Sequence, residues 1–158
     1  MTPKQLYGCF CVGFCALAVL MALGTRHFDY RINASSSLPG TLYVIHKNAP
    51  IQRGDLVAFR WHGGGHYAEG VVFIKRASGM PGDVVKREGR RYWVNGSYVG
   101  AAKVASLKGV PLEAALPGVI GAGQVFVATP SMDSLDSRYA ITGNIQQQQI
   151  VGRAYAIF

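Results

Sequence analysis

The sequence predicts a mainly β protein in which one N-terminal transmembrane helix precedes an antiparallel β domain. The chain of 158 residues contains 20 glycines and 7 prolines, which favour turns and short strands over long helices. After residue 33 its apolar runs are short and separated by turn residues, and no long helical pattern lies between them. One uncharged apolar run of helical length stands near the N-terminus.

That N-terminal run covers residues 5–24. About 19 of its residues would span roughly 28 Å as a helix, close to the thickness of the hydrocarbon core of a bilayer. We therefore predict a transmembrane anchor at 5–24, a polar juxtamembrane link at 25–32 and a folded domain at 33–158. A cleaved signal peptide is the alternative, because the small residues Ala22 and Gly24, on either side of Leu23, have the spacing of a cleavage site. The length of the run favours a retained anchor.

The runs that follow the anchor predict the strands of the domain. They are rich in β-branched and aromatic residues, which is typical of strands. They lie at 41–46, 55–61, 70–77, 83–99, 123–129 and 149–158. Asn95-Gly96 predicts a two-residue hairpin turn inside the fourth run. Residues 101–119 are less patterned, and we expect one helical turn among them.

Lys75 is unusual because it follows four apolar residues in the strand predicted at 70–77. A lysine is almost never fully buried unless it is paired or used, and the ordinary interpretation is that its ammonium group reaches solvent. Lysine becomes a general base only if burial lowers its pKa by about 3 units, at roughly 4 kcal/mol of differential solvation. The candidate nucleophiles are the serines at 35–37, whose ordinary interpretation is a turn closed by residues 38–40.

Four motifs occur in order along the domain. They read RGDLVAF at 53–59, FIKRASGMPGD at 73–83, SLDSRY at 134–139 and IVGRAYAIF at 150–158. Together they resemble the signal peptidase I superfamily, whose members are membrane peptidases with a serine nucleophile and a lysine base. The resemblance covers nearly all of residues 33–158 and implies a signal-peptidase-like antiparallel β domain.

The nucleophile segment departs from the usual pattern of that superfamily. Its members commonly have proline three residues after the serine, whereas Pro39 follows Ser37 by two. This spacing resembles most closely the conjugative-transfer peptidases of the TraF type, which mature pilin precursors, some by joining the pilin ends into a circle. The usual lead-in to the last motif is also replaced, at residues 128–133. Ser36 is the alternative nucleophile if proline at the third position is the correct alignment.

The resemblance implies a role for each catalytic residue. Ser37 would attack the scissile carbonyl, and neutral Lys75 would take its proton and later give it to the leaving amine. Ser35 would donate to the oxyanion from its side chain, beside the Ser37 amide. Ser134 would hydrogen-bond Lys75 and orient it.

Further roles follow from the same resemblance. Asp136 and Arg138 would form a structural ion pair near the site. Leu38, Phe73 and Ile74 would line shallow substrate pockets that prefer small side chains. No metal or cofactor is required.

The implied function is that of a membrane-anchored serine endopeptidase that processes exported precursors, with conjugative pilin maturation first. A general type I signal peptidase and an inactive structural component of a secretion or conjugation machine are the alternatives. The resemblance implies a single-pass protein of the bacterial inner (cytoplasmic) membrane with its catalytic domain on the periplasmic side. Its partners would be a pilin or secretory precursor, membrane phospholipid and components of a type IV secretion system.

The charged and metal-binding residue types outside the motifs suggest other partners only weakly. The net charge is +8, and Arg87, Arg90 and Arg91 form a basic cluster near a hairpin. Without stacking aromatics in an array of strands we expect no nucleic acid there, and anionic headgroups or solubility explain the cluster better. The glycines between His62 and His66 predict a mobile flap and not a metal site. The three cysteines, Cys9, Cys11 and Cys15, all lie in the predicted anchor, where they serve as small lipid-compatible side chains.

Overall fold

One long helix leads directly into a seven-stranded antiparallel sheet in the computed structural model, which describes residues 3–33 and 37–157. The elements in chain order are α1 (Pro3–His27), β1 (Phe28–Ile32), β2 (Leu42–Lys47), β3 (Leu56–Arg60), β4 (Val72–Gly79), β5 (Val84–Glu88), β6 (Arg91–Val94), β7 (Ser97–Ala101), β8 (Gly118–Val119), β9 (Gln124–Ala128), β10 (Ile145–Gln146) and β11 (Ile150–Ala156), with a 3₁₀ turn at Gln147–Gln149. The large sheet has the order β1-β2-β11-β3-β4-β9-β10, and a four-stranded sheet has the order β7-β6-β5-β8.

Helix α1 has the properties of a single membrane-spanning segment. Its stretch Phe10–His27 has a mean hydropathy of 1.6 and is long and apolar enough to cross a membrane, a test that a signal sequence also passes. Apolar side chains such as Tyr7, Phe10 and Phe14 are exposed along it. This exposure suits a helix whose surroundings are lipid, because apolar surface of this extent is costly in water.

Residues 25–32, predicted as a polar link, instead form the last turn of α1 and the edge strand β1. Phe28 lies opposite His46 and Ile32 opposite Leu42, so β1 satisfies the free edge of β2. The Phe28 ring stacks on His46 at 5.1 Å between ring centroids. The alternation of apolar and charged residues in this segment suits a strand. It becomes one only because β2, which pairs with β11 on its other side, offers a free edge.

The two faces of the large sheet bury different apolar clusters, because successive side chains of a strand point to opposite faces. One face carries Val57, Phe59, Trp61, Ala77, Val125, Val127 and Ile145. The other carries Leu38, Tyr43, Ile45, Ala58 and Ala154. A third cluster joins β9 to the small sheet through Phe126, Tyr92 and Val94. Strand β4 therefore lies inside the protein, with β3 on one side and β9 on the other.

The small sheet confirms one local prediction and corrects two others. Asn95 and Gly96 have φ of 47° and 82° and form the predicted hairpin turn between β6 and β7. The helical turn expected within 101–119 is absent from that segment, which the structure describes in full. The segment is irregular because guanidinium groups satisfy its backbone: Arg90 donates to the carbonyls of Ala102, Lys103 and Leu112, and Arg87 to those of Ala114 and Ala115. These two arginines are therefore structural and do not form a headgroup-facing cluster.

Candidate active site

Lys75 occupies the middle of β4, opposite Val57 of β3. Its side chain is buried, with 7% of the residue exposed, although it carries an amine. The Lys75 Nζ donates a hydrogen bond of 2.9 Å to the Oγ of Ser37, which lies 38 positions earlier in the chain. The structure thus brings together the two residues that the motifs assign to catalysis.

Burial lowers the pKa of Lys75 to about 8. The carboxylate of Asp136 opposes this effect and the guanidinium of Arg138 adds to it, but desolvation is the largest cause. At a pKa of about 8, roughly one lysine in ten is neutral at about pH 7, against one in a few thousand at the ordinary value. A useful fraction of the Lys75 amine is therefore able to accept a proton near neutral pH.

The turn that carries Ser37 is held on both sides. The Asn33 Nδ2 donates to the carbonyls of Leu38 and Gly40, each at 2.9 Å, and the Tyr43 hydroxyl donates to the carbonyl of Pro39. Leu38 is buried in the cluster that also contains Tyr43. Nothing in the motifs assigned Asn33 or Tyr43, although both are polar groups flanking the serine segment. Ser35 and Ser36 lie outside the described residues.

Phe73 and Ile74 lie on opposite faces of β4, because they are successive residues of one strand. Ile74 packs with Leu38 and Ala58 in one cluster, beside the Ser37 turn. Phe73 packs with Phe59 and Trp61 on the other face, and its ring centroid is 5.8 Å from the Nζ of Lys75. Of the three residues predicted to line substrate pockets, Leu38 and Ile74 therefore pack together. Phe73 lies apart from them, on the other face of β4.

Ser134 is buried, but it does not make the predicted hydrogen bond to Lys75. Its residue is 2% exposed, and within the described chain its Oγ has no hydrogen-bond partner. The Lys75 amine donates to Ser37 instead. A buried hydroxyl without a partner costs free energy of about 1–3 kcal/mol.

Asp136 and Arg138 form a fully buried bidentate ion pair. The Arg138 Nη2 and Nε lie 2.7 and 2.8 Å from the two carboxylate oxygens, and both side chains are 0% exposed. Arg138 also donates to the backbone carbonyls of Ala101 and Ser131, at 3.1 and 2.8 Å. The pair thereby ties the small sheet to the segment that precedes Ser134.

Ion pairs also join the other motifs to each other. Arg53 pairs with Asp83 at 2.5 Å, and hydrogen bonding from Arg53 lowers the pKa of Asp83 to about 2. Asp83 accepts a further bond of 2.6 Å from the Met80 amide, which closes the turn after the lysine strand. Arg153 pairs with Asp55 at 2.9 Å. The acidic residues of the motifs therefore cross-link β3 to the turn after β4 and to β11.

Comparisons with known proteins agree with these motifs. The family model described as "Signal peptidase, peptidase S26" matches residues 6–158, so the chain belongs to the signal peptidase S26 family, a family of serine peptidases. Signal peptidase I of Bacillus amyloliquefaciens and signal peptidase I T of Bacillus subtilis (strain 168) are each 29% identical over 161 residues, which cover 90% of this chain and 80% of the relative. The crystal structure of a signal peptidase I from Enterococcus faecalis V583 matches with a TM-score of 0.41 at 21% identity, over 66% of this chain and 96% of that chain.

Proposed function

We propose that this protein is a membrane-anchored Ser–Lys endopeptidase that cleaves exported precursor proteins. The observation that carries the proposal is the hydrogen bond of 2.9 Å between the buried Lys75 amine and the Ser37 hydroxyl. A serine hydroxyl is a weak nucleophile until a base removes its proton. Burial makes Lys75 a base suited to that task, since an efficient catalytic base has a pKa near the working pH.

In the proposed reaction, neutral Lys75 accepts the proton of Ser37 as its Oγ forms a bond to the scissile carbonyl carbon. The Lys75 ammonium then protonates the leaving nitrogen, the carbon–nitrogen bond breaks, and an ester remains on Ser37. Water or an amine attacks the ester with Lys75 again as the base, and Ser37 is regenerated. The Ser37 amide and the Ser35 side chain would stabilise the oxyanion, and the buried Ser134 hydroxyl would accept a hydrogen bond from the ammonium. Asp136 and Arg138 would support the site without touching substrate.

Two residues support a preference for small substrate side chains next to the scissile bond. Leu38 is buried beside the nucleophile, and Ile74 packs in the same cluster. We propose that they line a shallow apolar surface, which would accommodate small residues better than large ones. We assign Phe73 to the environment of Lys75, because it lies on the opposite face of β4 from Ile74.

An exposed apolar face supports a location of the domain against membrane phospholipid. Tyr30 and Tyr155 lie in one cross-strand row with Val44, and Ile32 lies opposite Leu42 in the next. Tyr30 is 62% and Ile32 78% exposed, and their strand follows α1 without a break. Aromatic side chains are enriched at membrane–water interfaces. We place the protein in the bacterial inner membrane as a single-pass protein with this domain on the periplasmic side.

We propose a pilin precursor of a conjugation system as the substrate, because the Ser37-Leu38-Pro39 spacing resembles the TraF type. General processing of secretory leaders is the second candidate, and the relatives named signal peptidase I favour it. The test is mass spectrometry of a pilin precursor and a secretory precursor, each incubated with the full-length protein in detergent. We expect cleavage of the pilin precursor. A product that lacks one water identifies joining of the pilin ends, and a free carboxylate identifies hydrolysis.

Matched serine variants identify the nucleophile in the same assay. Ser37→Ala should abolish cleavage, whereas Ser36→Ala should retain it. The assignment of Ser37 fails if the two variants behave in the reverse way. Cleavage of the secretory precursor alone would replace pilin maturation by general signal peptidase activity, and cleavage of neither would favour the inactive structural component.

A further inference from the structure

The glycine-rich segment between β3 and β4, residues 62–70, is a flap with a fixed base. The Trp61 amide donates to the carbonyl of Val71, and the Gly70 amide donates to the carbonyl of Trp61, each at 2.8 Å. The Trp61 Nε1 also donates to the carbonyl of Gly64 at 3.1 Å. Because both ends and one inner carbonyl are held, the flap has a defined path beside Trp61.

A second contact ties the flap to a distant part of the chain. The Nε2 of His62 lies 2.8 Å from the carbonyl oxygen of Ile141, within hydrogen-bond distance. The His62 ring stacks on Trp61 at 4.4 Å. Within the flap, Gly64 and Tyr67 form an antiparallel bridge that closes a tight turn. Gly63 and Gly64 have φ of 96° and 97°, which other residues rarely adopt, so the glycines give the flap its shape.

The flap places Tyr67 against the aromatic residue that borders Lys75. The Tyr67 ring meets the Phe73 ring edge-on, with 4.9 Å between centroids. Phe73 is held from the protein side by Trp61, at 5.2 Å, and by Phe59, at 5.9 Å. Its ring centroid lies 5.8 Å from the Nζ of Lys75. Tyr67 is 48% exposed, so it forms the solvent side of this aromatic group.

We propose that Tyr67 is a positioning residue for the general base: by packing on Phe73 it keeps water away from the amine of Lys75. The inference rests on the proposed function, and it assigns to the flap a part in the activation of the base. Removing the Tyr67 ring would open one side of Phe73 to solvent. Because the opening borders bulk water, water would fill it, and the amine would be better hydrated.

The physical consequence is a change in the protonation of Lys75. Burial is the main cause of its lowered pKa, so hydration raises that pKa. The charged groups that act on it are Asp136 and Arg138, which lie on the segment after β9 and stay in place. The charged residues of β3 and β4 nearest to it, Arg60 and Arg76, lie on the opposite face. The flap contributes four titratable side chains: Tyr67 itself, His62, His66 and Glu69.

The experiment measures the protonation of Lys75 directly in the full-length protein in detergent. The rate at which an amine-selective acylating reagent modifies Lys75 is followed against pH by peptide mass spectrometry. In Tyr67→Ala the midpoint should rise by about half a unit to one unit, because the amine is better solvated. Tyr67→Phe keeps the ring and should keep the wild-type midpoint. His66→Ala, a neighbour in the flap, should also leave it unchanged.

Peptidase activity gives a second readout with the same variants. Tyr67→Ala should lose about three- to tenfold in kcat/KM at about pH 7 and regain wild-type activity at about pH 10, where the amine is neutral in both proteins. In a Phe73→Leu background, Tyr67→Ala should not shift the labelling midpoint of Lys75 further, because Tyr67 acts on the amine only by packing on Phe73. An unshifted labelling midpoint in Tyr67→Ala overturns the inference, as does a loss of activity that is equal at every pH.

The two proposals fail in different ways. If the wild type cleaves no precursor, the endopeptidase function fails while the labelling midpoint of Lys75 still decides the role of Tyr67. If cleavage is normal and the midpoint is unchanged in Tyr67→Ala, the role of Tyr67 fails while the endopeptidase function stands.

Discussion

Lys75 and Arg138 are both buried basic residues, and their surroundings differ in one respect that separates the proposed base from a structural cation. Arg138 is matched by a carboxylate and two backbone carbonyls, so its donors are used. Lys75 hydrogen-bonds the Ser37 hydroxyl, and within the described residues 3–33 and 37–157 no carboxylate forms an ion pair with it. The protein therefore neutralises one buried charge and leaves the other partly uncompensated.

This difference shifts the pKa values of the two side chains in opposite directions. Burial disfavours the charge of Arg138, but hydrogen bonding and the charge of Asp136 outweigh burial and raise its pKa. Burial disfavours the charge of Lys75 as well, and there it prevails, so the pKa falls to about 8. A paired buried cation fixes structure, whereas an unpaired one loses its proton readily and can accept another.

The largest expected effect follows from removing the amine of Lys75, the proposed base. Lys75→Met keeps an unbranched side chain one atom shorter than lysine but has no base, so kcat/KM should fall by about ten-thousand-fold, as for other nucleophile–base pairs. Its folding should be unharmed, because methionine needs no solvation in a buried position. The measurements are precursor cleavage and thermal unfolding of the full-length protein in detergent. Activity within about tenfold of wild type would contradict a role as base.

Removing Arg138, the paired cation, should chiefly lower the stability of the fold. Arg138→Met leaves the Asp136 carboxylate buried without its partner, which should lower the free energy of unfolding by about 3–5 kcal/mol. Urea unfolding in detergent measures the change. Arg91→Met is the matched control, because Arg91 is exposed, and it should change stability by less than about 0.5 kcal/mol. Equal stability of the two variants would mean that the ion pair is not structural.

The pH dependence of stability gives a smaller effect of known sign. Because the pKa of Lys75 is lower in the folded protein, the unfolded chain binds more protons between about pH 8 and the ordinary lysine value. Stability from this group is therefore lowest below about pH 8 and rises with pH across that window, by about 3 kcal/mol. The check is the stability difference between wild type and Lys75→Met at several pH values. A difference that is constant across the window would contradict the lowered pKa.

The smallest expected effect tests how closely Arg138 is held. A Cβ added at Gly100 would lie 2.3 Å from the Arg138 Nη1, so Gly100→Ala must displace the guanidinium. We expect a loss of about 1–3 kcal/mol beyond that of the control. Gly54→Ala is the control, because Gly54 has φ of 89°, which is also beyond the left-handed region open to alanine, and no atom lies within 4 Å of an added Cβ. Equal losses in thermal unfolding would show that only backbone strain matters.

Local patterns predicted most of the strands and the two central residues of the site. Apolar runs located β2, β3, β4, β9 and β11 to within a few residues, because a strand in a buried sheet needs such a run. Asn95-Gly96 located its hairpin turn, because few residues adopt positive φ. The isolated lysine in an apolar strand pointed to Lys75, and the family motif supplied Ser37.

The errors share a physical cause, since each depends on a partner far away in the chain. The segment predicted as a link becomes β1 only because β2 offers a free edge. In the sequence Arg87 and Arg90 suggest a solvent-facing cluster, but in the fold they donate to carbonyls of an irregular segment. Ser134 was expected to bind Lys75, but the Lys75 amine donates to Ser37, and the Ser134 hydroxyl has no partner within the described residues.

By itself the sequence determined the family, the apolar helix, the strand order along the chain and the identity of the candidate base, because these depend on residue types at short spacing. Only the tertiary structure decided which buried cation is compensated and which is not. That outcome depends on whether a carboxylate lies within a few ångströms after folding, as Asp136 does for Arg138. It also decided that Tyr67 of the flap packs on Phe73, beside Lys75, because the path of the glycine-rich segment sets which rings meet, and the residue pattern does not show that path.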